Sequence, residues 1–108
     1  MNNLKLAATV ILYNPEDEIY INIESYINYV DILYIIDNST HHNNNLVKRL
    51  NKNFTNIKYI NNNANLGIAT ALNIGCKEAL DEKFNWILTM DQDSKFLNLF
   101  LSIAFTDI

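Results

Sequence analysis

The chain has 108 residues, close to the commonest size for one domain, and its 49% hydrophobic and 19% charged composition excludes intrinsic disorder, because enough apolar surface can be buried to offset ordering entropy. Eight Lys plus Arg stand against twelve Asp plus Glu, a formal charge of -4 that excludes the basic footprint a nucleic-acid partner requires. The lone Cys76 excludes an internal disulfide, no stretch reaches the ~18 continuous apolar residues of a membrane span, and residues 1–5 lack a secretory signal, so a soluble cytoplasmic protein is expected.

Residues 6–13, Leu-Ala-Ala-Thr-Val-Ile-Leu-Tyr, form an almost unbroken apolar run with the length and β-branching of a strand buried on both faces. Asn14 and Pro15 then read as an N-cap and a proline at the first helical position, with Glu16, Asp17 and Glu18 suited to the positive end of a helix dipole. Ile19, Ile23, Tyr26, Ile27 and Val30 recur at spacings of three and four, which predicts one buried helix face. Residues 32–37 predict a second strand, closed by the polar cluster Asp37, Asn38, Ser39 and Thr40. Beyond the loop at 41–45, residues 46–53 predict a short helix and residues 57–61 a third strand. An Asn-rich loop at 62–67 leads to Ile68, Leu72, Cys76, Ala79 and Leu80 at helical spacing, which predicts a helix to about Asp81 with Gly75 as a close-packing position. Residues 86–90 predict a fourth strand, broken by Asp91, Gln92, Asp93 and Ser94, and residues 97–105 a last helix whose many apolar side chains predict self-association.

Alternation of strands and helices implies an α/β class, a three-layer α/β/α sandwich with a mostly parallel, Rossmann-like sheet. Ligands of such sheets bind outside the carboxyl ends of the strands, where Tyr13 and Asn14, Asp37 to Ser39, the 62–67 loop and Asp91 to Asp93 all fall. The excess of Asn and Ile is what a coding bias toward A and T produces, and carries no functional weight by itself.

Asp91 and Asp93, one residue apart at the end of a buried strand, offer the hard oxygen ligands that Mg²⁺ or Mn²⁺ take, with substrate phosphates completing the shell. An Asp-x-Asp pair also serves as a plain strand-ending turn, but the preceding Trp-Ile-Leu-Thr-Met strand favours the metal reading. Asp37 can accept hydrogen bonds from a nucleobase or ribose, or equally close an Asx-turn. Asn65, Gly67 and the helix start resemble a loop that lets backbone approach an anionic ligand. The chain contains no Gly-Lys-Ser/Thr and no Gly-x-Gly-x-x-Gly, which removes the main support for nucleotide triphosphatase and dinucleotide readings. His41 and His42 lack partners at zinc-ligand spacing and read as a solvated loop.

Four stretches together resemble the N-terminal part of an inverting glycosyltransferase of family 2, with the GT-A fold: Val-Ile-Leu-Tyr-Asn-Pro at 10–15, Ile-Ile-Asp-Asn-Ser at 35–39, Asn-Leu-Gly-Ile-Ala with Ala-Leu-Asn-Ile-Gly at 65–75, and Trp-Ile-Leu-Thr-Met-Asp-Gln-Asp-Ser at 86–94. The Asp-Gln-Asp-Ser ending at 91–94 and the Asn-Leu-Gly-Ile-Ala helix start at 65–69 look most like the rhamnosyltransferase branch of that family. The resemblance implies transfer of L-rhamnose from dTDP-L-rhamnose, or of another sugar from a UDP-sugar, to a glycan or lipid-linked glycan in surface polysaccharide synthesis. By position it places Tyr13 against the base, Asp37 on base or ribose, Asn65 and Gly67 in the nucleotide pocket, Asp91 near ribose and metal, and Asp93 on the Mn²⁺ or Mg²⁺ ion.

Two departures stand out. Many members carry an arginine near the place of Leu72, so a phosphate or base contact from that side is expected to be missing. The general base of the family lies beyond residue 108, so residues 1–108 are expected to be the nucleotide-sugar-binding part of a domain truncated after the Asp-x-Asp motif, inactive alone, with the full-length protein at the inner face of the membrane. The competing reading is a noncatalytic nucleotide-binding or partner-binding module, which would bind donor without transferring it. A phosphoacceptor receiver domain would need acidic residues after the first strand, where Tyr13 and Asn14 stand.

Overall fold

The computed structural model describes residues 5–96. The elements run β1 (Leu6–Leu12), α1 (Ile19–Ile27), β2 (Ile32–Asp37), α2 (Asn44–Asn53), β3 (Ile57–Asn61), α3 (Ile68–Asp81) and β4 (Trp86–Asp91). The four strands form one sheet in the order β3-β2-β1-β4, and every pairing is parallel. The chain therefore steps outward from β1 to β3, then returns across two strands to place β4 on the other side of β1. That reversal puts α3 on the face opposite α1 and α2, because each parallel crossover must keep its right hand. The expected final helix at 97–105 lies outside the described residues.

Strand alternation sorts the core. Ala8, Val10 and Leu12 of β1, with Leu33, Ile35 and Met90, face α1 and α2 in one cluster. Ala7, Tyr34 and Ile36 face α3 in the other, with Ala71 and Ala79. Both faces of β1 are thus covered, as its apolar run requires.

The first helix starts later than Asn14 and Pro15 suggest. Residues 16–18 make turns through Ile19 N–H to Glu16 O and Tyr20 N–H to Asp17 O, and Glu18 stands at the N-cap without a side-chain bond. Asn14 instead adopts a left-handed φ of 43°. A missing cap costs ~1 kcal/mol, whereas complete burial of Ile23 and Ile27 contributes about 1.5–3 kcal/mol each, so packing decides that α1 forms. The second helix does have a cap, Asn43 Oδ1 accepting from Leu46 N–H at 3.1 Å, and begins two residues before the apolar pattern does. Its Leu46 and Leu50 are buried, and Arg49 lies over the Tyr20 ring at 3.7 Å.

In α3 the buried positions are Ala71, Gly75 and Ala79; the spacing picked out Ala79 and the close-packing reading Gly75, but the larger members of the stripe turn away, Ile68 being 70% exposed and Leu80 65%. Only small residues let this helix lie directly on the sheet. A Cβ on Gly75 would overlap Thr9 Oγ1 and come within 2.9 Å of Thr9 Cβ.

Candidate functional site

The strand order reverses between β1 and β4, and a cleft opens at their carboxyl ends where neither crossover covers the sheet. Its volume is about 440 Å³, and it is lined by Ile11, Tyr13, Ile68, Leu72, Thr89, Met90, Asp91 and Gln92. The register that sets Ile11 opposite Asp91 brings the end of β1 alongside the Asp-Gln-Asp turn. Gln92 fixes this juncture: its Oε1 accepts from Tyr13 N–H at 2.9 Å and its Nε2 donates to Tyr13 O at 3.2 Å. Asn22 of α1 donates to Gln92 O at 2.9 Å, and Ser94 N–H donates to Asp91 O at 3.0 Å, closing the turn. Asp91 and Asp93 are both exposed on it.

Asp37 occupies a different position from an open ligand contact. Its side chain is 1% exposed. Oδ1 accepts from Ser39 N–H at 2.9 Å, while Oδ2 meets the Tyr59 hydroxyl and His42 Nδ1, the latter at 3.3 Å. Burial alone would push this carboxyl up; the hydrogen bonds from Ser39, Tyr59 and His42 favour the anion more and hold it below its ordinary value. The Tyr59 hydroxyl is pushed up, first by burial and then by its bond to the Asp37 carboxylate. Asp37 therefore organises the β2 exit loop as an Asx-turn and anchors β3 to it.

Asn38 carries that order toward α3. Almost fully buried, it donates from Nδ2 to Gly67 O at 3.1 Å and accepts from Asn62 Nδ2 at 2.7 Å. Asn65 Oδ1 accepts from Gly67 N–H at 3.0 Å, a second Asx-turn. Gly67 has φ 85° and ψ 159°, a conformation that L side chains rarely adopt, although a Cβ there would meet open space. Backbone shape, not room, requires the glycine. On the other side, Asn14 Oδ1 accepts from Thr40 N–H and His41 N–H at 3.0 and 2.9 Å, tying the β1 exit to the β2 exit. Asparagines that sequence reasoning set aside as coding bias thus bridge the loops of the ligand-facing edge.

Among the described residues no group of three or more His, Cys, Asp or Glu could enclose a metal ion. Two exposed, adjacent carboxylates suit a cation that shares its shell with substrate oxygens and water, not one caged by protein. A larger hollow of about 510 Å³, lined by Asn14, Pro15, His41, His42 and Asn43 to Asn45, lies beside the β2 exit loop. It is shallow and polar and contains none of the acidic turn, so the smaller cleft is the better candidate.

A profile of the family described as glycosyl transferase family 2 matches residues 8–103. The chain belongs to glycosyl transferase family 2. Among solved structures, the chain is similar to that of TarS from S. aureus, with a TM-score of 0.70 at 22% identity over 96% of this chain and 20% of that one. That likeness supports the GT-A-like fold, and the chain spans one fifth of the length of TarS. No curated protein gives a significant match.

Within this family 2 domain the fold brings Tyr13 and Asp91 into one cleft, with Asp93 on the same turn. Asn65 and Gly67 sit on the loop that launches α3, whose first residue Ile68 lines that cleft, whereas Asp37 lies beneath the loops. Sequence reasoning missed Gln92, Asn38 and Asn14 as bridging residues, and Ile68 as cleft lining, whereas Leu72 lines the cleft on the side where the resemblance put a ligand contact. Their only signal was placement beside the motif residues.

Proposed function

We propose that this chain forms the donor-binding part of a metal-dependent, inverting glycosyltransferase, using dTDP-L-rhamnose in preference to a UDP-sugar and acting in surface polysaccharide synthesis on a glycan or lipid-linked glycan. The observation that carries the reading is a cleft at the β1/β4 switch point that includes a carboxylate and no Lys or Arg in its lining. A nucleoside diphosphate entering it would be repelled by Asp91 and Asp93 unless a divalent cation lay between them. Mn²⁺ or Mg²⁺ held by Asp91 and Asp93 would stabilise the charge that grows on the leaving diphosphate. The apolar side chains of Ile11, Leu72 and Met90 offer van der Waals contact to a base or sugar, with Tyr13 in the same lining and the Asn65 to Gly67 loop, held by Asn38, leading into the Ile68 that also lines it. The acceptor's hydroxyl proton would go to a carboxylate acting as general base, a role to which no described residue is assigned. We propose a cytoplasmic location, with the full-length form at the inner face of the membrane.

Isothermal titration of dTDP and UDP with and without Mn²⁺ tests this. Metal-dependent binding that Asp93→Ala abolishes is expected, with dTDP bound more tightly. Binding of equal strength without metal, or undiminished in Asp93→Ala, would refute the metal reading, and the absence of any nucleotide binding would refute the donor site.

A further inference from the structure

The two ends of such a donor site come from different strands. Tyr13 follows β1, and the aspartates sit at and beyond the end of β4; the pairing of the two strands ends with Ile11 opposite Asp91, so the ladder does not itself hold Tyr13 against the turn beyond Asp91. Gln92 supplies the link. Its amide matches both halves of the Tyr13 backbone at once, accepting at 2.9 Å and donating at 3.2 Å. A carboxylate could only accept and an ammonium only donate, so an amide is the group this pairing needs. The same residue's carbonyl is held by Asn22 Nδ2 at 2.9 Å, which ties the turn to α1 as well.

We propose that Gln92 is a positioning residue that sets Asp91 and Asp93 against Tyr13, so that nucleotide and cation bind cooperatively; this rests on the donor-site reading above. A ligand touching two points gains from the second in proportion to how rigidly the points are held. Releasing the Asp-Gln-Asp turn leaves each contact available and weakens their joint use.

The test measures, on the 108-residue chain, the ratio of dTDP affinities with and without Mn²⁺. A wild-type ratio of one overturns the metal reading, and this proposal with it, before any variant is compared; no dTDP binding at all overturns the donor-site reading. Gln92→Met keeps the side-chain length and removes both bonds. Its ratio is expected to fall about fivefold, since two exposed hydrogen bonds sit at the low end of the usual range, while affinity without Mn²⁺ changes less. Asn22→Ala, which leaves the Tyr13 pair intact, is expected to lower the ratio in the same direction by a smaller factor. If Gln92→Met does not fold by circular dichroism, Asn22→Ala alone decides. A residue that merely supports the fold would lower the melting temperature and leave the ratio at its wild-type value; that result overturns the proposal.

Discussion

Substituting Gly75 by alanine sets two opposing effects against each other, and the geometry at Thr9 decides between them. Alanine is favoured over glycine in a helix interior by about 0.8–1.0 kcal/mol. Against that, the new Cβ would overlap Thr9 Oγ1 and lie 2.9 Å from Thr9 Cβ, both on a strand paired on each side and unable to retreat. Overpacking a core costs about 1–3 kcal/mol, and an overlap with a β-branched side chain belongs at the upper end. The net expectation is a loss of about 2 kcal/mol, or roughly 10 °C in melting temperature for a domain of this size. Thr9→Ala supplies the control. Thr9 Oγ1 is buried without a hydrogen-bond partner among the described residues, so removing it relieves a desolvation cost that offsets the lost methyl, and the single variant should melt close to wild type. Combined with Gly75→Ala it should recover most of the loss, giving a coupling of more than about 1 kcal/mol in a double-mutant cycle followed by circular dichroism. A Gly75→Ala protein melting at or above the wild-type temperature, or strictly additive losses in the pair, would refute the close-approach account of α3.

Asp37 makes the stability pH-dependent in a stated direction. Its folded value lies below the ordinary 3.8, so its contribution is complete above that value and is lost as pH falls through the lower folded one. Urea midpoints of wild type and Asp37→Ala should therefore differ by a constant amount from about pH 7 to about pH 5 and converge toward pH 3 and below. At neutral pH the deletion should cost about 1–3 kcal/mol, because the Ser39 N–H and Tyr59 hydroxyl lose their acceptor. A gap between the two proteins that stays constant in acid would refute this. Residues 97–105 carry Leu97, Leu99, Phe100, Leu101, Ile103, Ala104 and Phe105, which we propose drive self-association; light scattering should report species larger than a monomer, and a monodisperse monomer would count against it.

Most of the architecture was legible in local pattern. The bounds of β2, β3 and α3 coincide with the apolar runs and spacings that predict them, and the buried face of α1 is the one its periodicity marks. β1 ends one residue earlier than its apolar run, because Tyr13 turns out to the cleft. The proline signal at Pro15 misled, since a left-handed Asn14 redirected its side chain to Thr40 and His41 instead of capping α1. His42 likewise looked like a solvated residue and proved to reach the buried Asp37 carboxylate.

The sequence by itself determined which segments are strands and helices, that the sheet is parallel and covered on both faces, and which polar clusters meet at the strand ends, because these follow from periodicity and chirality that any short stretch carries. Only the tertiary structure decided which stripe of α3 meets the sheet and which lines the cleft. Hydrophobic spacing cannot distinguish a helix packed by its large residues from one that comes close enough to need Ala71, Gly75 and Ala79 against β1 and β2. It likewise decided that Asp37 is enclosed while Asp91 and Asp93 remain exposed, since the hydroxyl that occupies its carboxylate comes from Tyr59 on β3 and His42 reaches it only as the exit loop folds back.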